Sequence, residues 1–272
     1  MKEKYSLIYL TTECCSPEQM IRIAAETGYD CIDARTIPMG LPGEKTFDLS
    51  KDRRLLEAAR RAAAETGVWV DSIENARIFD GMSVKDYEPC LAAAAELGVR
   101  HVLSNVWSAD AGYAREKFGE LCDLAAEYGQ QIDLEFVTWS KVKDLREAKN
   151  LLEAVNRPNA GILVDTLHFH RSRVTFKELE ELPEEWLYCL HICDAPGEIP
   201  EDPDALAYTA REARLYPGEG GIDIRKIAGR KPWAVYGIEI PHRRRWEEMG
   251  YVKYAAEALR RTKAYLKGEE GK

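Results

Sequence analysis

A chain of 272 residues with 45% hydrophobic composition can bury a full core, and one α/β barrel of this length is unexceptional. Its 47 acidic and 38 basic residues leave a formal charge of −9, which argues against a general phosphate-backbone binder, so no nucleic-acid partner is expected, but leaves a small anionic metabolite open. No membrane-spanning apolar run appears and MKEKYSLIYL leads straight into polar TTE, so neither a membrane partner nor a signal peptide is expected and the default location is cytoplasmic.

Short β-like runs alternate with helical patterns along the whole chain. SLIYL at 6–10 precedes a helix starting near Pro17 with Ser16 as its cap, and YDCIDA at 29–34 precedes one near Asp52. VWVDSI at 68–73 leads to a helix near Val84, where Ser83 is the candidate cap, and RHVLSNV at 100–106 to one near Ala111. QIDLEFV at 131–137, AGILVD at 160–165 and WLYCLHIC at 186–193 are followed by helices near Asp144, Thr175 and Asp223. AVYGIEI at 234–240 comes before a last helix over about 247–267, and the charged KGEEGK tail reads as frayed. The junctions TGYD, TGVW and LGVR put a glycine between helix and strand, where a left-handed stop is needed.

Eight such units predict a single-domain (β/α)₈ TIM barrel over residues 1–272, with an open doubly wound sheet as its rival. In a barrel the active face is the carboxyl end of the strands. Two long excursions fall there, residues 35–51 and 194–222, and are read as a substrate lid or pocket wall, with an oligomer contact as the alternative. The seven cysteines are odd in number and lack a CxxC pair, which fits free thiols, mostly buried, rather than a disulfide framework or thiolate metal site.

Four ionisable residues stand where apolar strands run out: Glu135 in DLEF, Asp165 in GILVD, His191 in LYCLHICDAP and Glu239 in VYGIEI. A carboxylate there is costly unless paired, hydrogen-bonded or metal-bound. Alone, His191 reads as a satisfied core histidine and Glu135 as a salt-bridge partner. As a set they gain weight, because the ends of strands five to eight of a barrel are adjacent and can converge on one ion. Three carboxylates and an imidazole suit a divalent ion such as Mn²⁺, Mg²⁺ or Co²⁺.

LEF with Glu135, VDTLHF with Asp165 and His168, LHICDAP with His191, and GIEI with Glu239 resemble the xylose isomerase-like barrels of the sugar phosphate isomerases and epimerases. Ketose epimerases, hydroxypyruvate isomerase, inosose dehydratase and 3-dehydroshikimate dehydratase are relatives in that group. The resemblance implies that Glu135, Asp165, His191 and Glu239 bind the metal, that Glu135 and Glu239 are also the catalytic acid and base, and that His168 contacts substrate oxygens. It also implies a small polyhydroxy ketone or keto acid as substrate and allows a homo-oligomer, for which the chain carries no distinctive interface motif.

Two positions depart from the ketose epimerase pattern: Lys141 stands where a glutamate is expected and Gly197 where an arginine is expected. Lys141 is either solvent-facing or a substrate contact, and the arginine role moves to Arg211 or Arg214 in REARLYPGEG, with Glu219 orienting the arginine or capping the next helix. His170 alternates with His168 in HFH, so both point the same way if the segment is extended. Arg35, Glu74, Asn105, Trp107 and Trp139 lie beyond strand ends and are candidate pocket residues; RRR at 243–245 is an anion pocket, a solvated loop or a subunit contact.

The leading expectation is a metal-dependent isomerase or epimerase working through an enediolate. A dehydratase of a keto-cyclitol or dehydroshikimate-like compound is the alternative, and binding without catalysis is the non-enzyme reading. Phosphodiester cleavage on a histidine-rich zinc site fits poorly with five histidines in an acidic chain.

Overall fold

The computed structural model describes residues 3–40, 44–230 and 234–269. The end of the KGEEGK tail and residues 41–43 of the first excursion lie outside the described residues. Eight parallel strands close into a barrel in chain order, β8 returning to pair with β1. They are β1 Tyr5–Ile8, β2 Cys31–Arg35, β3 Trp69–Glu74, β4 His101–Ser104, β5 Gln131–Glu135, β6 Ala160–Asp165, β7 Leu187–Ile192 and β8 Val235–Ile238. Every expected strand is present, with ends that match or shift by a few residues, and the closed barrel excludes the doubly wound rival.

The helices are α1 Pro17–Thr27, α2 Arg53–Thr66, α3 Glu88–Glu96, α4 Ala111–Glu127, α5 Leu145–Val155, α6 Thr166–Arg171, α7 Phe176–Glu180, α8 Pro203–Glu212, α9 Ile224–Arg230, α10 Arg243–Met249 and α11 Tyr251–Lys267. Ser16 and Gln19 form a reciprocal capping box at α1. Ser83 makes no side-chain cap; a short 3₁₀ turn at Val84–Tyr87 comes before α3. Gly28, Gly67 and Gly98 all take the left-handed conformation their junctions predicted. Two helices escaped the sequence reading, α6 directly after β6 and α8 inside the second excursion, and the last helical stretch is two helices broken at Gly250.

The main core lies between strands and helices, with Leu7, Ile32, Ile73, Phe118, Ile132, Val164 and Tyr254 among its buried residues. A separate small cluster of Cys31, Leu103, Leu163, Cys189 and Val235 fills the barrel interior. Strand side chains alternate faces, so positions two residues on from several of these also point inward, but at the carboxyl rim. Those positions are Asp33, Asn105, Asp165 and His191. The same alternation that packs the barrel therefore lifts polar groups into its mouth. All seven cysteines are free, and all but Cys14 are buried. No described helix is long and apolar enough to cross a membrane.

Candidate metal centre and substrate pocket

At the mouth, Glu135, Asp165, His191 and Glu239 come together, each offering a ligand atom within 4.8 Å of the others, and all four are buried. Asp165 is the end of β6 and the N-cap of α6 at once: its Oδ1 accepts from the Leu167 N–H at 2.7 Å and the His168 N–H at 3.1 Å. Its Oδ2 accepts from Arg214 Nη1 at 2.5 Å, and the same guanidinium nitrogen lies 2.9 Å from Glu239 Oε2. Arg214 is itself anchored through Nε to the Ala210 carbonyl at 2.8 Å. The excursion after β7 thus carries an arginine, Arg214, to the cluster. Gly197 lies backbone to backbone with Gly221: a Cβ on Gly221 would stand 2.7 Å from the Gly197 Cα, whereas one on Gly197 would meet Gly221 at 3.5 Å, an ordinary contact.

His191 lies with Nδ1 3.4 Å from Glu239 Oε2 and Nε2 3.9 Å from Asp33 Oδ2, and neither nitrogen has a hydrogen-bond partner among the described residues. A buried imidazole left so is a group awaiting a ligand. Asp33 is a site residue that the sequence reading passed over; with Cys189 and His191 it makes a second compact group below the first, and its Oδ1 accepts from Ser6 Oγ at 2.7 Å. Gly237 permits this packing, since a Cβ there would lie 2.7 Å from His191 Cδ2.

The charges of the cluster are out of balance. Burial and the nearby Glu239 and Asp165 carboxylates push Glu135 up to about 8. Burial also raises Glu239, but Arg214 and His191 outweigh it and hold that carboxyl well below the ordinary range. Burial lowers His191, yet Glu239 and Asp33 raise it well above the usual imidazole value. Three carboxylates against the single guanidinium of Arg214 leave two negative charges once every ligand is deprotonated, the complement of a divalent cation. The donor set and the orphaned His191 nitrogens fit such an ion.

Glu135 and Glu239 of the cluster line a pocket together with Arg35, Met39, Glu74, Asn75, Asn105, Trp107, Trp139, His168, Arg211 and Arg214. His168 Nδ1 accepts from the Thr138 N–H at 3.3 Å and lies 3.1 Å from the Thr138 hydroxyl, which leaves Nε2 to carry the proton. Burial lowers His168 to about 4, so it is a neutral donor at neutral pH, and it packs edge-on against Trp139. Asn105 and Trp107 are tied by a 2.6 Å bond from the indole Nε1 to the amide oxygen.

Other expected residues lie elsewhere. Lys141 lines a different groove, between α4 and α5, with Arg115 and Glu147. His170 is turned away by α6, which breaks the parity of an extended HFH, and accepts from Arg171 Nη1 through Nδ1 at 2.9 Å. Glu219 accepts from Arg245 at 2.8 Å and does not touch Arg214; Asp194 holds the PGEGG turn instead, accepting from the N–H groups of Ala195, Gly218, Gly220 and Ile222. The RRR run pairs with carboxylates, Arg243 with Glu247, Arg244 with Glu248 and Arg245 with Glu219.

The family model for the xylose isomerase-like TIM barrel matches residues 21–263. The chain belongs to that family. Among curated proteins it is similar to an inosose isomerase of Bacillus velezensis, 24% identical over 232 residues that make up 79% of this chain and 78% of the relative. A 3-dehydroshikimate dehydratase of Pseudomonas aeruginosa is 27% identical over 179 residues, 61% of this chain and only 27% of that larger protein. A crystal structure of an IOLI protein with bound zinc superimposes with a TM-score of 0.79 at 19% identity, covering 99% of this chain and 100% of the other, a likeness of fold. Family membership and the buried ligand cluster together support metal-dependent catalysis by this xylose isomerase-like barrel.

Proposed function

We propose that this protein is a divalent-metal-dependent isomerase or epimerase of a small polyhydroxy ketone, acting through an enediolate. The observation that carries the reading is the convergence of Glu135 and Glu239 with Asp165 and His191 on one buried point beside a pocket. The four residues would hold an Mn²⁺, Mg²⁺ or Co²⁺ ion. When bound, such an ion supplies positive charge next to the carbonyl and hydroxyl oxygens of the substrate.

Glu239, kept ionised by Arg214 and His191, is the base that takes the proton from the hydroxyl-bearing carbon beside the carbonyl. Glu135, the other glutamate of the cluster that lines the pocket, returns one to the same or the neighbouring carbon. The Nε2–H of His168 donates to the oxygen on which charge develops, while Thr138 holds the ring in that tautomer. Arg214 fixes the angle of both Asp165 and Glu239. Asn105 and Trp107 wall the substrate on the opposite side, and Lys141 and His170 have no part in this reading.

The similarity to an inosose isomerase over most of both chains supports a cyclic or open polyhydroxy ketone as substrate. The shorter similarity to a 3-dehydroshikimate dehydratase supports a second reading, loss of water from the same enediolate. Incubating the Mn²⁺-loaded protein with inososes, ketoses and dehydroshikimate, and following product mass, tests both. A product of unchanged mass supports the isomerase, and one lighter by a water supports the lyase.

A further inference from the structure

Part of the pocket wall comes from the rims of β2, β3 and β4, and its polar atoms are unusually incomplete. Arg35 and Glu74 are register partners across β2 and β3. Arg35 Nη2 stands 2.8 Å from Glu74 Oε1, an ion pair by distance without an N–H aimed at the oxygen. Arg35 Nε, Glu74 Oε1 and Asn75 Oδ1 are all buried and have no hydrogen-bond partner among the described residues. The guanidinium carbon lies over the Tyr9 ring, 4.6 Å from its centre, which helps to hold it in place. Asn105 spends its oxygen on Trp107, which leaves its amide N–H₂ free to donate.

These orphans are complementary to one kind of ligand. Two of them, the Glu74 and Asn75 oxygens, are acceptors, and an acceptor is satisfied only by a donor. A hydroxyl both donates and accepts, so neighbouring hydroxyls can fill the acceptors and take a bond from Arg35 or Asn105. A carboxylate or phosphate has nothing to donate. It would leave both acceptors empty and set its charge beside Glu74, which already pairs with Arg35.

We infer that Arg35, Glu74, Asn75 and Asn105 form a hydroxyl-reading subsite that selects an uncharged substrate with vicinal hydroxyls and rejects one bearing a carboxylate or phosphate there. The inference rests on the isomerase reading for the chemistry at the metal ligands, and it separates the two readings above, since a dehydroshikimate-like acid carries the rejected group. Glu74 and Asn75 are specificity residues that line the same pocket as Glu135 and Glu239.

Calorimetric titration of the Mn²⁺-loaded full chain with myo-inositol, an uncharged polyol, and with quinate, a hydroxylated carboxylate, tests it. The wild-type protein binds inositol at least about 10-fold more tightly than quinate. Glu74→Gln removes the negative charge and frees Arg35, so inositol weakens about 10-fold while quinate tightens; a role in folding alone would weaken both. Asn75→Ala, a milder change, weakens inositol and leaves quinate unmoved. Wild-type preference for quinate, binding of neither ligand, or parallel changes in both variants overturns the subsite. Solvent deuterium exchange into dihydroxyacetone, which carries only one hydroxyl beyond the reacting ketol, reports separately on the reaction: its absence would count against the isomerase reading while calorimetry still judged the subsite.

Discussion

Glu135 and Glu239 share one buried cluster yet are driven in opposite directions, Glu135 up by burial and like charge and Glu239 down by Arg214 and His191. Such a separation suits one acid and one base. Glu135→Gln and Glu239→Gln keep the side-chain shape and remove the titrating group. Each is expected to lower turnover by roughly 10²-fold or more while circular dichroism and melting stay near wild type. Full turnover in either variant would contradict the assignment. These residues were legible in the sequence because an ionisable group in an apolar strand needs a reason, and four such groups at consecutive strand ends share one. Asp33 follows the same pattern in YDCIDA but escaped notice, since the carboxylate becomes meaningful only beside Ser6 and His191 from other strands. His170 was misjudged for the opposite reason: the chain turns helical at Asp165, so side chains two apart no longer share a face.

The strand and helix order was readable from periodicity, whereas α6 and α8 were not, because α6 is six residues long and α8 hides among the prolines and acidic residues of an excursion. Yet these two helices set the site. α6 fixes Asp165 by letting it cap the helix, and α8 leads directly into Arg214. The turn that follows depends on Asp194, whose carboxylate accepts four backbone N–H groups. Asp194→Ala is expected to cost on the order of 3 kcal/mol, read as a lower denaturation midpoint, and to loosen Arg214 with it. A variant as stable as wild type would show that the turn holds itself. At β8, Gly237→Ala places a Cβ 2.7 Å from His191 Cδ2 and 2.8 Å from Ile8 Cδ1. The strain of about 1–3 kcal/mol falls on a proposed metal ligand, so weaker Mn²⁺ binding should accompany the lower melting temperature. Unchanged affinity would mean that the barrel absorbs the methyl elsewhere.

For the whole molecule, closing eight strands is what brings residues as far apart in sequence as Asp33 and Glu239 to one rim. Three buried carboxylates there would suit a divalent ion, and without one Glu135 holds a proton in its place. With Glu135 raised from its ordinary value to about 8, the protonated group favours the ion-free fold fully below about pH 4.5, and this contribution is lost as pH rises through about 8. Ion binding requires the deprotonated ligand and so strengthens over the same window. The melting-temperature gap between Mn²⁺-loaded and chelator-treated protein should therefore widen from pH 5 to about pH 8.5; a gap independent of pH would contradict the ligand set.

The most direct test of enediolate chemistry is incubation of Mn²⁺-loaded protein with an inosose in D₂O, with product mass and deuterium read together. The account predicts one deuterium at the carbon beside the carbonyl, no loss of water, and no exchange after chelation or in Glu239→Gln. A product lighter by a water would assign a lyase, and isomerisation without deuterium uptake, with exchange equally absent from the recovered inosose, would contradict proton transfer through these two glutamates.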